Sequence, residues 1–251
     1  MNETNIAFAV IGGTGLTAIE GLEVIHREVV HTPYGEPSGQ ITHGMIGGKR
    51  IVFLARHGYT HNIPPHRINY RANIWALHSI GVKNVVAVGA VGGITSQMAP
   101  QTLVIPNQII DYTYGRSHTF FDEGLRFVTH IDFSQPYCPQ LRQALLNAGK
   151  QAAIDLIDGG TYAATQGPRL ETAAEILRLE RDGCDLVGMT AMPEAALAKE
   201  LGLSYASCSV VANWAAGKTP NEITLREIHQ NLVVGMEHLR QLLKELECCD
   251  R

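Results

Sequence analysis

A short apolar run that stops at a cluster of glycines occurs twice in this chain, and it constrains the fold more than any other feature. Residues 6–11 run into Gly12-Gly13-Thr14-Gly15, and residues 83–88 (KNVVAV) into Gly89-Ala90-Val91-Gly92-Gly93. Each run has the length of a buried strand, and glycine after it lets the chain turn tightly and lets a ligand approach the backbone. Ahead of the second strand, residues 69–80 carry helical periodicity with Ile74, Leu77 and His78 on one side. Further strands are predicted at 51–55, 103–106, 160–164, 186–187 and 205–211, and helices at 139–153, 171–182, 193–201 and 224–247. Buried strands alternating with helices predict an α/β fold, a single domain over residues 1–251 with a mostly parallel central sheet flanked by helices. The least regular parts, 31–48 and 111–136, are expected to be site loops or subunit contacts.

Composition narrows the partners. A chain of 251 residues that is 45% hydrophobic and 18% charged can build one large core. Its net charge of -4, with no basic tract, gives no electrostatic reason to bind nucleic acid or a membrane surface. Small molecules and further copies of the chain are the expected partners. Cys138, Cys184, Cys208, Cys248 and Cys249 are odd in number and lack both framework and metal spacing, which suits reduced thiols in the cytoplasm. Cys248 and Cys249 are expected as solvent-facing tail thiols. Residues 1–5 have no basic leader character, and 6–11 is too short for a signal core or a membrane span.

Three motifs bear on chemistry. Gly13-Thr14-Gly15-Leu16-Thr17-Ala18 matches the G-x-G-x-x-A turn of dinucleotide sites, which also needs an acidic residue about 20 positions on, at the end of a second strand. Glu28 is near that distance, but no clean helix separates its stretch, 23–30, from the turn. A dinucleotide, a free phosphate and a turn that binds nothing all remain open here. Gly217-Lys218-Thr219 resembles the end of a P-loop but has Ala212 where the first glycine belongs. Arg56-His57-Gly58, directly after the 51–55 strand, places a guanidinium and an imidazole where they can grip an oxyanion. Together with the two glycine-rich strand ends, it favours a phosphate site.

Five segments in order then resemble the trimeric purine nucleoside phosphorylases, and within them the methylthioadenosine phosphorylase branch. They are Gly12-Gly13-Thr14-Gly15-Leu16, Arg56-His57-Gly58, Asn69-Tyr70-Arg71-Ala72-Asn73-Ile74-Trp75-Ala76-Leu77, Gln166-Gly167-Pro168-Arg169-Leu170-Glu171-Thr172, and Gly188-Met189-Thr190 with Pro193-Glu194. The resemblance implies a phosphate site of Thr14, Arg56, His57, the Gly89-Ala90 backbone and Thr190, with Met189 under the ribose. It also implies that His130 reaches a neighbouring subunit's pocket in a homotrimer. Inorganic phosphate is then the co-substrate and no cofactor or metal is implied.

The departures from that family set the expected specificity. Where the methylthioadenosine enzymes carry two aspartates flanking one residue, this chain has Asn213-Trp214-Ala215. An amide can serve O6 and N7 of a purine, whereas Ala215 offers adenine's amino group nothing. Glu171, after Leu170, matches the glutamate of 6-oxopurine phosphorylases and can accept from the N1–H of hypoxanthine or guanine. At the sugar's 5′ end, Leu225 and Ile228 fall, with a one-residue slip, on the positions of an apolar methylthio pocket, and their i,i+3 spacing puts them on one helix face. The neighbouring His229 leaves a hydroxyl-binding role open. The expected activity is phosphorolysis of 5′-methylthioinosine, with Asn213 as the catalytic residue. A broader 6-oxopurine nucleoside phosphorylase, a methylthioadenosine phosphorylase and a nucleotide-binding oxidoreductase are the alternatives.

Overall fold

The computed structural model describes residues 6–16, 19, 21–124 and 127–248. Its centre is one mixed sheet of eleven strands: β1 (Phe8–Gly12), β2 (Glu23–Glu28), β3 (Ile41–Ile46), β4 (Lys49–Ala55), β5 (Asn84–Gly93), β6 (Leu103–Ile105), β7 (Gln108–Asp111), β8 (Leu156–Asp158), β9 (Thr161–Ala164), β10 (Leu186–Gly188) and β11 (Ser204–Trp214). The main path is β2-β3-β4-β1-β5-β10-β9-β7, and β11, β6 and β8 branch from β5. Strands β4, β1, β5 and β11 run parallel, so their carboxyl ends lie together, where α/β sheets bind ligands.

Alternation along β1 shows how the layers form. Phe8 and Val10 face one core with α2 (Pro139–Gln151) and α5 (Leu225–Glu245), while Ala9 and Ile11 face another with α1 (Tyr70–Ser79) and α4 (Ala191–Glu200). Both faces are therefore covered, which is why β1 reads as an unbroken apolar run and β11 is buried over nearly its whole length, its serines included. The remaining helix, α3 (Ala173–Arg181), buries Ile176 and Leu179 beside Val187 and Ala215. No helix among the described residues is long and apolar enough to cross a membrane.

Several expectations need correction. The stretch 31–48, expected as irregular, contains β3, whose Thr42 and His43 are buried by pairing with β2 and β4 on its two edges. The Gly89–Gly93 segment is not a turn: β5 continues to Gly93 because β11 pairs with it throughout. Strands β7 and β8, too short to carry a periodic signal, were not expected. His78 is exposed although Ile74 and Leu77 of the same helix are buried. Helix α3 begins at Ala173, after a capping box in which Thr172 and Glu175 exchange hydrogen bonds, so Glu171 stands ahead of the helix rather than in its first turn. Cys248 is half-buried against the core rather than solvent-facing; Cys249, like Thr17 and Ala18, lies outside the described residues.

Candidate active site

The edge of β5 explains where a cavity can form. Strand β1 pairs with it as far as Ala87, and β10 takes up the same edge at Gly92 and Gly93. In the interval the Arg56 side chain, from the end of β4, donates its Nη1 to the Val88 carbonyl at 2.8 Å. Gly13 permits that approach: a Cβ there would come within 2.8 Å of the Val88 oxygen and 2.9 Å of Arg56 Nη1. The cavity beside this junction has a volume of about 220 Å³. Its lining includes Thr14, Arg56, His57, Gly89, Ala90 and Thr190, the set expected for phosphate, together with Gly13.

Arg56 is almost fully buried, and a buried cation needs a partner. Glu194 of α4, 0% exposed, takes its Nε at 2.7 Å and its Nη2 at 2.8 Å, and also accepts from the Tyr205 hydroxyl at 2.9 Å. Burial alone would lower the guanidinium's pKa, but the Glu194 carboxylate outweighs it and raises that pKa above the ordinary value. The planar fork is thereby held in one orientation with Nη1 turned to the junction. His57 behaves in the opposite sense. Burial first, and then the Arg56 charge, push its pKa down to about 4 against a hydrogen bond to the Ile63 carbonyl. That bond, 2.8 Å long, places the proton of the neutral ring on Nδ1 and leaves Nε2 as an acceptor. Next to it His61 stacks at a tilt, 4.6 Å between ring centres, and lies 3.4 Å from the Thr14 hydroxyl. Thr190 stands at the N-cap position of α4 without a side-chain capping bond, and its backbone N–H and hydroxyl meet the Tyr162 phenol; Gly188 leaves the space that this phenol fills.

The same cavity is lined by Leu170, Glu171, Met189, Asn213, Ala215, Leu225 and Ile228. A β-bulge between Val211 and Asn213 breaks the register of β11, and bulges of this kind re-aim the side chain that follows. Asn213 Nδ2 donates to the Trp214 carbonyl at 2.7 Å, which leaves one N–H and the Oδ1 for other partners. One oxygen of Glu171 accepts from Thr165 Oγ1 at 2.6 Å. Ile228 is half-buried, whereas Leu225, the first residue of α5, is 76% exposed. Ile223, not singled out from the sequence, completes this mouth. His229 and His130 do not line the cavity of their own chain; His130 sits in an exposed loop.

Two further side chains hold the cavity wall. Glu194 belongs to the Pro193-Glu194 motif, and its further signal in the sequence is a lone carboxylate in the apolar run AMPEAALA, which implies a buried partner. Arg116 lies in the irregular 111–136 stretch and had no local signal. It is buried and donates to the backbone carbonyls of Met189, Met192, Thr165 and Gln166, and to the Tyr70 hydroxyl. It thus ties the Met189 segment to the loop that carries Glu171. The dinucleotide alternative fails on topology, because Glu28 sits on β2, separated from β1 by β3 and β4.

The profile of the Phosphorylase superfamily matches residues 7–246. A probable S-methyl-5′-thioinosine phosphorylase of Xanthomonas campestris pv. campestris is 52% identical over 98% of this chain and 99% of its own length. The 6-oxopurine nucleoside phosphorylase of Pyrococcus furiosus is 44% identical over 94% of this chain and 89% of its own. Among solved structures, methylthioadenosine phosphorylase from Schistosoma mansoni in complex with adenine superposes with a TM-score of 0.92 at 31% identity, covering 96% of this chain and 91% of the other. A cavity at the carboxyl ends of parallel strands, with an arginine locked beside a glycine turn, is thus found in a chain that belongs to the phosphorylase superfamily.

Proposed function

We propose that this protein is a purine nucleoside phosphorylase that cleaves 5′-methylthioinosine with inorganic phosphate, giving hypoxanthine and 5-methylthioribose 1-phosphate. One observation carries the reading: Glu171, Asn213 and Ala215 line the same cavity, and by the family resemblance Ala215 falls where the methylthioadenosine enzymes carry an aspartate. Hypoxanthine presents N1–H to Glu171 and O6 and N7 to Asn213. Adenine would leave Glu171 opposite an acceptor nitrogen, and sites built on such pairs discriminate strongly. At the sugar's far end, Ile228 and Leu225 offer a thioether methyl an apolar face and offer a hydroxyl no partner.

The phosphate would rest against Thr14, Arg56, His57, the Gly89-Ala90 backbone and Thr190, with Met189 beneath the ribose. As the C1′–N9 bond breaks, its electron pair passes to the purine and the ribose becomes oxocarbenium-like. A phosphate oxygen then forms the new bond to C1′. The free Nδ2–H of Asn213 donates to the purine at N7 or O6, an interaction that strengthens as negative charge develops there and so acts on the transition state, and the departing base takes its proton from solvent. No cofactor or metal enters this scheme. The chain would act in the cytoplasm as a homotrimer in which His130 of one copy completes the pocket of the next.

A second reading, a broader 6-oxopurine nucleoside phosphorylase, draws support from the exposure of Leu225, which leaves the 5′ end open within one chain. The deciding experiment measures phosphate-dependent base release from methylthioinosine, methylthioadenosine, inosine and guanosine. Methylthioinosine should give the highest kcat/KM. Equal turnover of methylthioadenosine would refute the roles of Glu171 and Asn213; faster turnover of inosine would refute those of Leu225 and Ile228.

A further inference from the structure

Away from the cavity, strands β2 and β3 bring together two histidines and a carboxylate that the phosphorolysis scheme does not use. A register shift between Val24 and His26 places His26 opposite His43 on the paired strand. The two rings stack with centroids 4.2 Å apart and 12° between their planes. Glu28, two residues beyond His26 and so on the same strand face, reaches His43 Nε2 with its Oε2 at 2.8 Å. One ligand atom from each of the three lies within 4.8 Å of the others. His43 is only 4% exposed, and its Nδ1 has no hydrogen-bond partner.

We propose that His26, Glu28 and His43 form a binding site for a borderline divalent cation of the Zn²⁺ type. Two imidazoles and one carboxylate are a donor set that zinc accepts, with a fourth position left to water. Glu28 supplies the negative charge, and it acts on His43 more strongly than the nearby Arg50 does. Two ligands on a tetrahedral zinc lie roughly 3.4 Å apart at bond lengths of about 2.0–2.1 Å. Reaching that spacing requires the exposed His26 ring to tilt out of its stack and the half-exposed Glu28 to follow, while paired strands hold both backbones. Strand β2 lies at the edge of the sheet and is exposed over most of its length, so a bound ion would clip this edge to β3.

The test is calorimetric titration of the full chain with ZnCl₂ in phosphate-free buffer, with a thermal melt in parallel. One ion per chain should bind, reversibly to EDTA, and raise the melting temperature. His26→Ala and Glu28→Gln should each weaken binding by about tenfold or more, leave base release unchanged, and abolish the thermal shift. His43→Ala is avoided because that ring is buried. Cys248→Ser should bind as the wild type does. Absence of binding, or equal affinity in the His26→Ala and Glu28→Gln variants, would overturn the site.

Discussion

Replacing Glu194 by glutamine tests the structural argument most directly, because it preserves shape and removes one charge. In the native protein the carboxylate takes two donors from Arg56 and one from Tyr205 in a fully buried setting. Glutamine offers one oxygen and turns its own N–H donors toward another donor. The guanidinium then remains buried without a counter-charge, a situation that costs about 3–5 kcal/mol when a buried pair is broken on one side. For a domain of this size each kcal/mol lowers the melting temperature by about 2–4 °C, so a fall of roughly 10 °C is expected. Tyr205→Phe removes a single hydrogen bond to a charged group and should cost about 2 kcal/mol. Chemical denaturation gives the free energies, and base-release kinetics at varied phosphate gives the second readout. Because Glu194 fixes the orientation of Arg56, the KM for phosphate should rise at least about tenfold in Glu194→Gln, an expected loss of about 1.4 kcal/mol. A variant that melts within two degrees or so of the wild type and keeps its phosphate KM would refute the argument that this carboxylate positions the arginine.

Two further outcomes follow from the site. His57 has a folded pKa of about 4 against 6.5 for the free side chain, so between those values the unfolded chain binds more protons. Stability should therefore be fully present above about pH 6.5 and decline as the pH falls toward 4, by on the order of 3 kcal/mol at 1.36 kcal/mol per unit; His57→Gln should flatten that decline, and an unchanged slope would show that this ring does not titrate as inferred. Asn213→Asp with Ala215→Asp should shift the kcat/KM ratio toward methylthioadenosine by at least about tenfold, at a cost in stability because position 215 is buried. No shift in the ratio would place the base specificity elsewhere.

Much of the site was legible because its residues are tied to local features. Gly12 to Gly15, Arg56 with His57, and Gly188 to Thr190 each sit at the end of a buried strand, and an apolar run followed by glycine or a charged pair is visible without any partner strand. Glu171, Asn213 and Ala215 stood out as departures from a family pattern. Apart from Gly12 and Gly15, the structure brings all of these to one cavity. Strand β3 was hidden because Thr42, His43 and Gly44 interrupt its apolar run, and they are buried by pairing on both edges. Arg116 was hidden for a related reason, since its partners are backbone carbonyls contributed by segments 49 to 76 residues away.

The amino-acid sequence by itself determined the α/β class and the glycine-rich strand ends, which rest on periodicity and glycine placement and are properties of single segments; the polar groups expected at the purine came from the resemblance to a family. Only the tertiary structure decided that β5 continues past β1 to meet β10, that Arg56 is locked by Glu194, and that His26 stacks on His43. Each of those depends on which strand lies beside which, and burial then sets the partner that a charge or a ring must have.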